Sequence, residues 1–334
     1  MTSFERYEAV LAGESVDFPP RIPIVMRFAA EYIGSNYAAF ASDHRVLVEA
    51  NIRCAEDFGF DQLSCISDPY RETAGFGAEL IYHRDGVPEC THPPLSNVIN
   101  FSEVPIPDPH QAERMRDRLD AIRLYRKRCG DFYSVLGWVE GPAALAGDVC
   151  DLSEFLMDLM DEPERTAELL DLCTTTSIQF AQAQINAGAD SIGIGDAICS
   201  QISPQVYEEL IWPRQYRLIT AIKDAGAVVR LHICGQTQHL WSSLCELPMD
   251  ILDCDHMVDL AGARRTFSSD LILAGNHDPV SDLRFGRPAE IVAKTWQCRR
   301  AVGGDRFMVT AGCEIPSGTP RENLRALCRP LLPQ

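Results

Sequence analysis

The stretch Val228-Val229-Arg230-Leu231-His232-Ile233-Cys234-Gly235 reads as a buried strand that ends in a histidine and a cysteine. Side chains alternate along a strand, so His232 and Cys234 point the same way, two residues apart. An imidazole beside a thiolate at a strand end is half of a zinc site. The best candidate for the other half is Cys313, in Met308-Val309-Thr310-Ala311-Gly312-Cys313, again an apolar strand that runs into Gly-Cys. Each cysteine taken alone also reads as a small buried apolar residue. Together with His232, and with both strand ends aimed at one mouth, the three read as metal ligands for one zinc. The fourth position is then open to substrate or filled by a carboxylate, for which Glu140, Asp196 and Glu314 are the candidates.

That ligand set has a chemistry. Two carboxylates or three imidazoles leave zinc electrophilic and suited to activating water. Two thiolates and one imidazole donate more electron density, which keeps a bound thiol deprotonated yet nucleophilic. Such a centre favours alkyl transfer to or from sulfur over hydrolysis.

Two elements must hold these ligands, and the rest of the chain supplies a frame for them. Strands are expected at 21–26, 60–67, 132–139, 191–196, 227–234, 250–255, 271–276 and 306–313. Helical patterns lie at 2–12, 43–58, 110–128, 152–160, 163–187, 204–224, 238–246, 259–267, 288–301 and 320–328. Residues 79–87 alternate and then meet Pro88, which reads as a small hairpin laid over one end of the fold. Eight strands alternating with helices predict an α/β fold, a (β/α)8 TIM barrel with an N-terminal helical extension and a hairpin insertion. No linker divides the chain, so residues 1–334 are expected to form a single domain. A doubly wound open sheet is the alternative.

A barrel places its active site at the C-terminal ends of its strands. Read in order, those ends carry Asp68, Glu140, Asp196, His232 with Cys234, Asp255 with His256, Asn276 with His277, and Cys313 with Glu314. Asp68, Glu140 and Asp196 are the candidate catalytic carboxylates, and His256, Asn276 and His277 the candidates for holding a cofactor. A helix cap or turn is the competing reading for any one of them.

The formal net charge of -18 argues against nucleic acid and against an anionic membrane surface as partners. The residues Met1-Thr2-Ser3-Phe4-Glu5-Arg6 show no signal pattern and no apolar run is long enough to span a membrane, so a cytoplasmic location is expected. Thirteen cysteines, an odd number scattered through the chain, fit free thiols and metal ligands better than a disulfide framework.

Several segments together resemble the uroporphyrinogen decarboxylase superfamily and, within it, the methylcobamide:coenzyme M methyltransferases. They are Gly137-Trp138-Val139-Glu140-Gly141-Pro142, Ala187-Gly188-Ala189-Asp190, Leu231-His232-Ile233-Cys234-Gly235, Gly275-Asn276-His277-Asp278-Pro279 and Gly312-Cys313-Glu314-Ile315-Pro316, with Thr319-Pro320-Arg321-Glu322-Asn323-Leu324 after them. The resemblance implies a (β/α)8 barrel and a His-x-Cys…Cys zinc site on His232, Cys234 and Cys313. It also implies a corrinoid (cobalamin) as methyl carrier, and a small methyl donor or thiol acceptor. This chain has no Asp-x-His-x-x-Gly cobalamin-binding segment, so the corrinoid would come from solution or from a separate corrinoid protein. The decarboxylase branch carries two arginines near its N-terminus. Here that segment reads Met26-Arg27-Phe28-Ala29-Ala30-Glu31, which keeps the first as Arg27 and replaces the second with Glu31. A glutamate there would repel a polycarboxylate. The alternatives to a zinc-dependent, corrinoid-linked methyltransferase are a decarboxylase working through Asp68 and Arg27, and a corrinoid-binding barrel without catalysis.

Overall fold

A computed structural model describes residues 1–332; the last two positions of the expected domain, Pro333 and Gln334, lie outside the described residues. The main sheet contains seven parallel strands. With a two-stranded hairpin they are, in chain order, β1 (Gln62–Ser64), β2 (Leu80–Ile81), β3 (Glu89–Cys90), β4 (Ser134–Glu140), β5 (Ser191–Gly195), β6 (Val228–Ile233), β7 (Ile251–Cys254), β8 (Ile272–His277) and β9 (Phe307–Ala311). The sheet order is β1-β4-β5-β6-β7-β8-β9 and β2 pairs with β3. The expected hairpin is therefore present, but its second strand follows Pro88 rather than ending at it.

The expected (β/α)8 barrel is present with an irregular first stave. The segment expected as a strand at 21–26 makes one bridge, Arg21 to Val309. Pro23 has no N–H to give to a ladder, so a regular strand cannot run through it. The stave closes the barrel all the same. Ile22 N–H donates to Val309 O (2.9 Å) and Val309 N–H to Pro20 O (2.8 Å) on one side, and Asp61 N–H donates to Arg21 O (2.8 Å) on the other.

β1 is too short to pair with all of β4, and side chains complete the edge. Gln184, on the helix Pro163–Ala187, accepts from Trp138 N–H at 2.8 Å and donates to Trp138 O at 2.9 Å. Glu72 accepts from Glu140 N–H at 2.9 Å. Trp138 lies in the barrel interior because Gly193 and Gly195 face it; a Cβ at Gly193 would collide with its ring.

The N-terminal helix Ser3–Ala12 has a capping box between Thr2 and Glu5 and ends at Gly13 in the left-handed region (φ 76°). It buries Tyr7 and Val10 against Ile22, Ile251, Ile272 and Met308, closing the end of the barrel away from the strand C-termini. The helical stretch expected at 204–224 is present with one wide turn at Tyr207–Ile211, just before Pro213. A proline there has no N–H to return to the preceding turn. Short helices at Arg27–Tyr32, Tyr37–Ser42, Arg71–Gly75 and Pro142–Val149 have no counterpart in the sequence expectation. Among the described residues no helix is long and apolar enough to cross a membrane.

Candidate functional site

His232 is the last but one residue of β6, and Cys234 follows the strand on the same face. Cys313 lies just past β9. The chain brings the three together across residues 79 apart: His232 Nε2 is 3.0 Å from Cys234 Sγ, and Cys234 Sγ is 3.9 Å from Cys313 Sγ. One ligand atom from each of the three lies within 4.8 Å of the others. A disulfide needs sulfurs about 2.05 Å apart, so the cysteines are free. In a tetrahedral centre with zinc–sulfur bonds of about 2.3 Å, two sulfurs sit about 3.8 Å apart. The sulfur pair meets that spacing as it stands. The imidazole is closer to Cys234 than a shared metal would leave it, and this pair would open by about half an ångström.

The three groups also shift one another's protonation. Hydrogen bonding between the two thiols pulls Cys313 well below the ordinary thiol range and pushes Cys234 above it. Burial acts to lower His232, but the Cys313 sulfur and Asp253 outweigh it and raise the imidazole to about 9. His232 Nδ1 is 3.2 Å from Asp253 O, so it donates to that carbonyl and leaves Nε2 turned to the sulfurs. Two thiols and an imidazole of fixed orientation, with one thiol already acidic, are a donor set that zinc accepts.

The other strand-end residues divide by what they touch. Asp68 is buried, accepts from Ser67 Oγ–H (2.6 Å) and Tyr70 N–H (3.1 Å), and pairs with Arg114 at 2.5 Å. Glu140 pairs with Arg71 at 2.5 Å. Asp196 is enclosed. It accepts from Ala144 N–H at 2.7 Å and from Gln215 Nε2–H at 2.7 Å, and so caps the helix Pro142–Val149 from another strand. A Cβ at Gly141 would collide with the Asp196 carboxylate. Glu314 accepts from Arg27 N–H at 2.9 Å. None of Glu140, Asp196 and Glu314 joins the cluster of His232, Cys234 and Cys313. Arg27 pairs with Glu31 at 2.8 Å on the surface.

The three residues expected to hold a cofactor do not act together. Asn276 donates to Asp255 O (3.0 Å) and Val258 O (2.7 Å), joining two loops. His256 lies at the rim, 2.9 Å from Asp255. His277 is fully buried, 2.9 Å from Thr295 Oγ1, which itself donates to Ile291 O at 2.8 Å. Thr295 therefore accepts from His277 Nε2–H. Burial, aided by Lys294, lowers His277 to about 4.

A base lowered from its unfolded value of about 6.5 contributes stability above that pH, and this is lost as pH falls toward 4. The full loss is on the order of 3 kcal/mol. The wild-type Tm should fall between pH 7.5 and pH 5, and His277→Gln should shrink that fall. An equal fall in both proteins would remove His277 from the account.

Reasoning from the sequence missed a buried charged group beside the mouth. Arg71, Glu72 and Arg114 join Asp68 and Glu140 there, all under 9 % exposed. Arg114 was hidden in the charged repeat of the helix Glu113–Cys129, which reads as a surface helix. A second cluster, Asp43, His44 and Asp117, is already used locally. Asp43 caps the helix His44–Phe58, and Asp117 binds His44 at 2.8 Å and also Arg118.

Comparisons with known proteins follow the same lines. The methylcobamide:CoM methyltransferase MtaA of Methanosarcina barkeri is 26% identical over 330 residues, covering 96% of this chain and 95% of that protein. A uroporphyrinogen decarboxylase of Anaeromyxobacter dehalogenans is 24% identical over 344 residues, covering 96% of each. Among solved structures, a methyltransferase from Methanosarcina mazei superimposes with a TM-score of 0.89 at 23% identity, covering 98% of this chain and 97% of that one, which shows a shared fold. Its relatives thus include both methyltransferases and decarboxylases, and the match to the uroporphyrinogen decarboxylase (URO-D) family over residues 2–330 shows that the chain belongs to that family.

Proposed function

We propose that this protein is a zinc-dependent methyltransferase of the cytoplasm, one barrel domain that moves a methyl group between a corrinoid and a small thiol or methyl donor. The observation that carries this reading is the convergence of His232, Cys234 and Cys313 at one mouth, with their sulfurs at a tetrahedral spacing. Zinc held by these residues would supply a Lewis acid soft enough to keep a thiol ionised without quenching its nucleophilicity.

The chain's own part is positional. Asp253 O fixes the His232 tautomer, and the two strand ends aim both sulfurs at the mouth. The corrinoid is the second substrate and is supplied from outside, free or on a separate corrinoid protein. In the thiol-methylating direction a thiolate sulfur attacks the methyl carbon, the cobalt–carbon bond breaks, and its electron pair stays on cobalt as Co(I). That displacement needs sulfur, carbon and cobalt in line, so the corrinoid must cover the mouth face-on.

The decarboxylase alternative has less support. Asp68 is tied to Arg114 and Ser67, and Arg27 to Glu31. The test is the spectrum of methylcobalamin, or of Co(I)-cobalamin, with a panel of thiols and methyl donors. The spectrum should change with the wild type and not with His232→Ala. Flat spectra with zinc in place would favour the decarboxylase or the barrel without catalysis.

A related outcome concerns stability. The ligands sit on strands already fixed by the barrel, unlike those of a zinc finger. Chelation should abolish methyl transfer and leave the far-ultraviolet circular dichroism nearly unchanged; global unfolding would contradict this placement.

A further inference from the structure

Beside the mouth, on the β4–β5 side, lies a cavity of about 370 Å³. Its walls are mostly apolar, from Pro69, Ala144, Leu152 and Ile198, with Tyr70 among them. Glu140, Asp148 and Asp151 line it, Asp151 already capping the helix Leu152–Asp161, and no Lys, Arg or His does.

The charges around the cavity do not balance. Arg114 is taken by Asp68 at 2.5 Å. Arg71 serves both Glu140 at 2.5 Å and Glu72 at 3.6 Å. Nothing serves Asp148, whose Oδ2 is out of solvent and has no hydrogen-bond partner. Glu140 is 7 % exposed and offers Arg71 one oxygen, Oε1. Burial pushes the carboxyls of Asp148 and Glu140 well above the ordinary range, and Arg71 offsets this only in part. An excess of carboxylates over cations beside a mostly apolar cavity is complementary to a cation that carries its own apolar surface.

Strand register sets the distance to the metal ligands. Glu140 pairs with Gly195, and Gly195 with His232. Two strand spacings make about 10 Å, the length of a small extended molecule.

We propose that this cavity binds an organic cation, an ammonium or quaternary ammonium group, and that it holds the cationic end of the small molecule whose other end reacts at His232, Cys234 and Cys313. The second half rests on the methyltransferase reading; the first half does not. Asp148 supplies the unshared charge and Glu140 the second carboxyl, with Tyr70 in the wall. The same cavity disfavours substrates with an anionic end, so a sulfonated or carboxylated thiol would not enter it in this orientation.

The test is calorimetric titration of the intact, zinc-loaded protein, with no corrinoid present. The probes are choline and 3,3-dimethylbutan-1-ol, its uncharged counterpart of the same shape. Choline should bind at least about tenfold tighter than the alcohol. Asp148→Asn should remove that difference and Asp148→Glu should retain it. Asp148 has no partner to lose, so Asp148→Asn should fold and melt no lower than the wild type, which separates lost binding from lost structure. Choline binding should also persist in Cys234→Ala, because the cavity stands apart from the metal ligands.

Equal affinity for choline and the alcohol would overturn the proposal, as would choline binding that ignores Asp148→Asn. Potassium or calcium that binds through Asp148 where choline does not would assign the site to an inorganic ion and also overturn it. Failure of the methyl-transfer reading looks different. Cobalamin spectra would stay flat while charge-dependent choline binding remained. Turnover of neutral thiols with no choline binding would keep that reading and discard this one.

Discussion

Purified Cys234→Ala and Cys313→Ala should each lose zinc that the wild type carries at about one ion per chain. Loss of a supporting residue behind a metal ligand already costs about 10- to 100-fold in affinity or activity. Removing one of three ligands should therefore cost more than about 100-fold in both. Cys313→Ala should have the larger effect, because Cys313 is the thiol held below its ordinary range and gives a thiolate most readily. Cys245→Ala is the control. That cysteine is exposed and lies outside the cluster, so its removal should leave the metal content unchanged. Metal analysis of the four proteins checks the outcome. Full zinc in both Cys234→Ala and Cys313→Ala would place the metal elsewhere. Melting the same proteins adds a second reading, since the variants should remain folded.

The meeting of His232, Cys234 and Cys313 was legible because it depends on residue type at positions that periodicity locates. An apolar run followed by His-x-Cys-Gly fixes both a strand and the face its end presents, and the same holds for the run into Gly312-Cys313. Other polar strand ends have structural partners for a physical reason. The last residues of a barrel strand must also satisfy loop and helix backbone, and Asp196 and Asn276 spend their polar atoms there. Residue type and position are the same for a ligand and a clamp; only the partners differ. The first stave was readable as an apolar segment, but Pro23 denied it regular pairing. The buried group of Arg71, Glu72 and Arg114 was not legible at all, since a charged residue paired inside a protein carries the same pattern as one facing water. Asp148 follows Gly147 in an otherwise apolar helix, where only the cavity shows what it faces.

The largest loss of stability from a single substitution should come from Arg230. It precedes His232 by two residues on the same face of β6 and is 1 % exposed, in the barrel interior. Its guanidinium ties three other staves together. Nε and Nη2 donate to Asp253 Oδ2 at 3.0 and 2.6 Å, and Nη1 donates to Ile22 O and to Gln62 Oε1, both at 3.1 Å. Arg230→Met fills much of the volume but leaves Asp253 charged and buried. The other Asp253 oxygen, Oδ1, already has no partner. Breaking one side of a buried pair costs about 3–5 kcal/mol, whereas replacing both partners with apolar groups is often neutral. Arg230→Met should thus lower the Tm by about 4–7 °C. The double variant Arg230→Met/Asp253→Leu should recover most of that loss. Because His232 donates to the backbone carbonyl of residue 253 and not to its side chain, the double variant should still bind zinc. If it melts no higher than Arg230→Met, the cost lies in the lost links to Ile22 and Gln62 and not in the stranded carboxylate. If it melts high but loses zinc, the Asp253 carboxylate, 3.6 Å from His232 Nδ1, orients the imidazole together with the carbonyl.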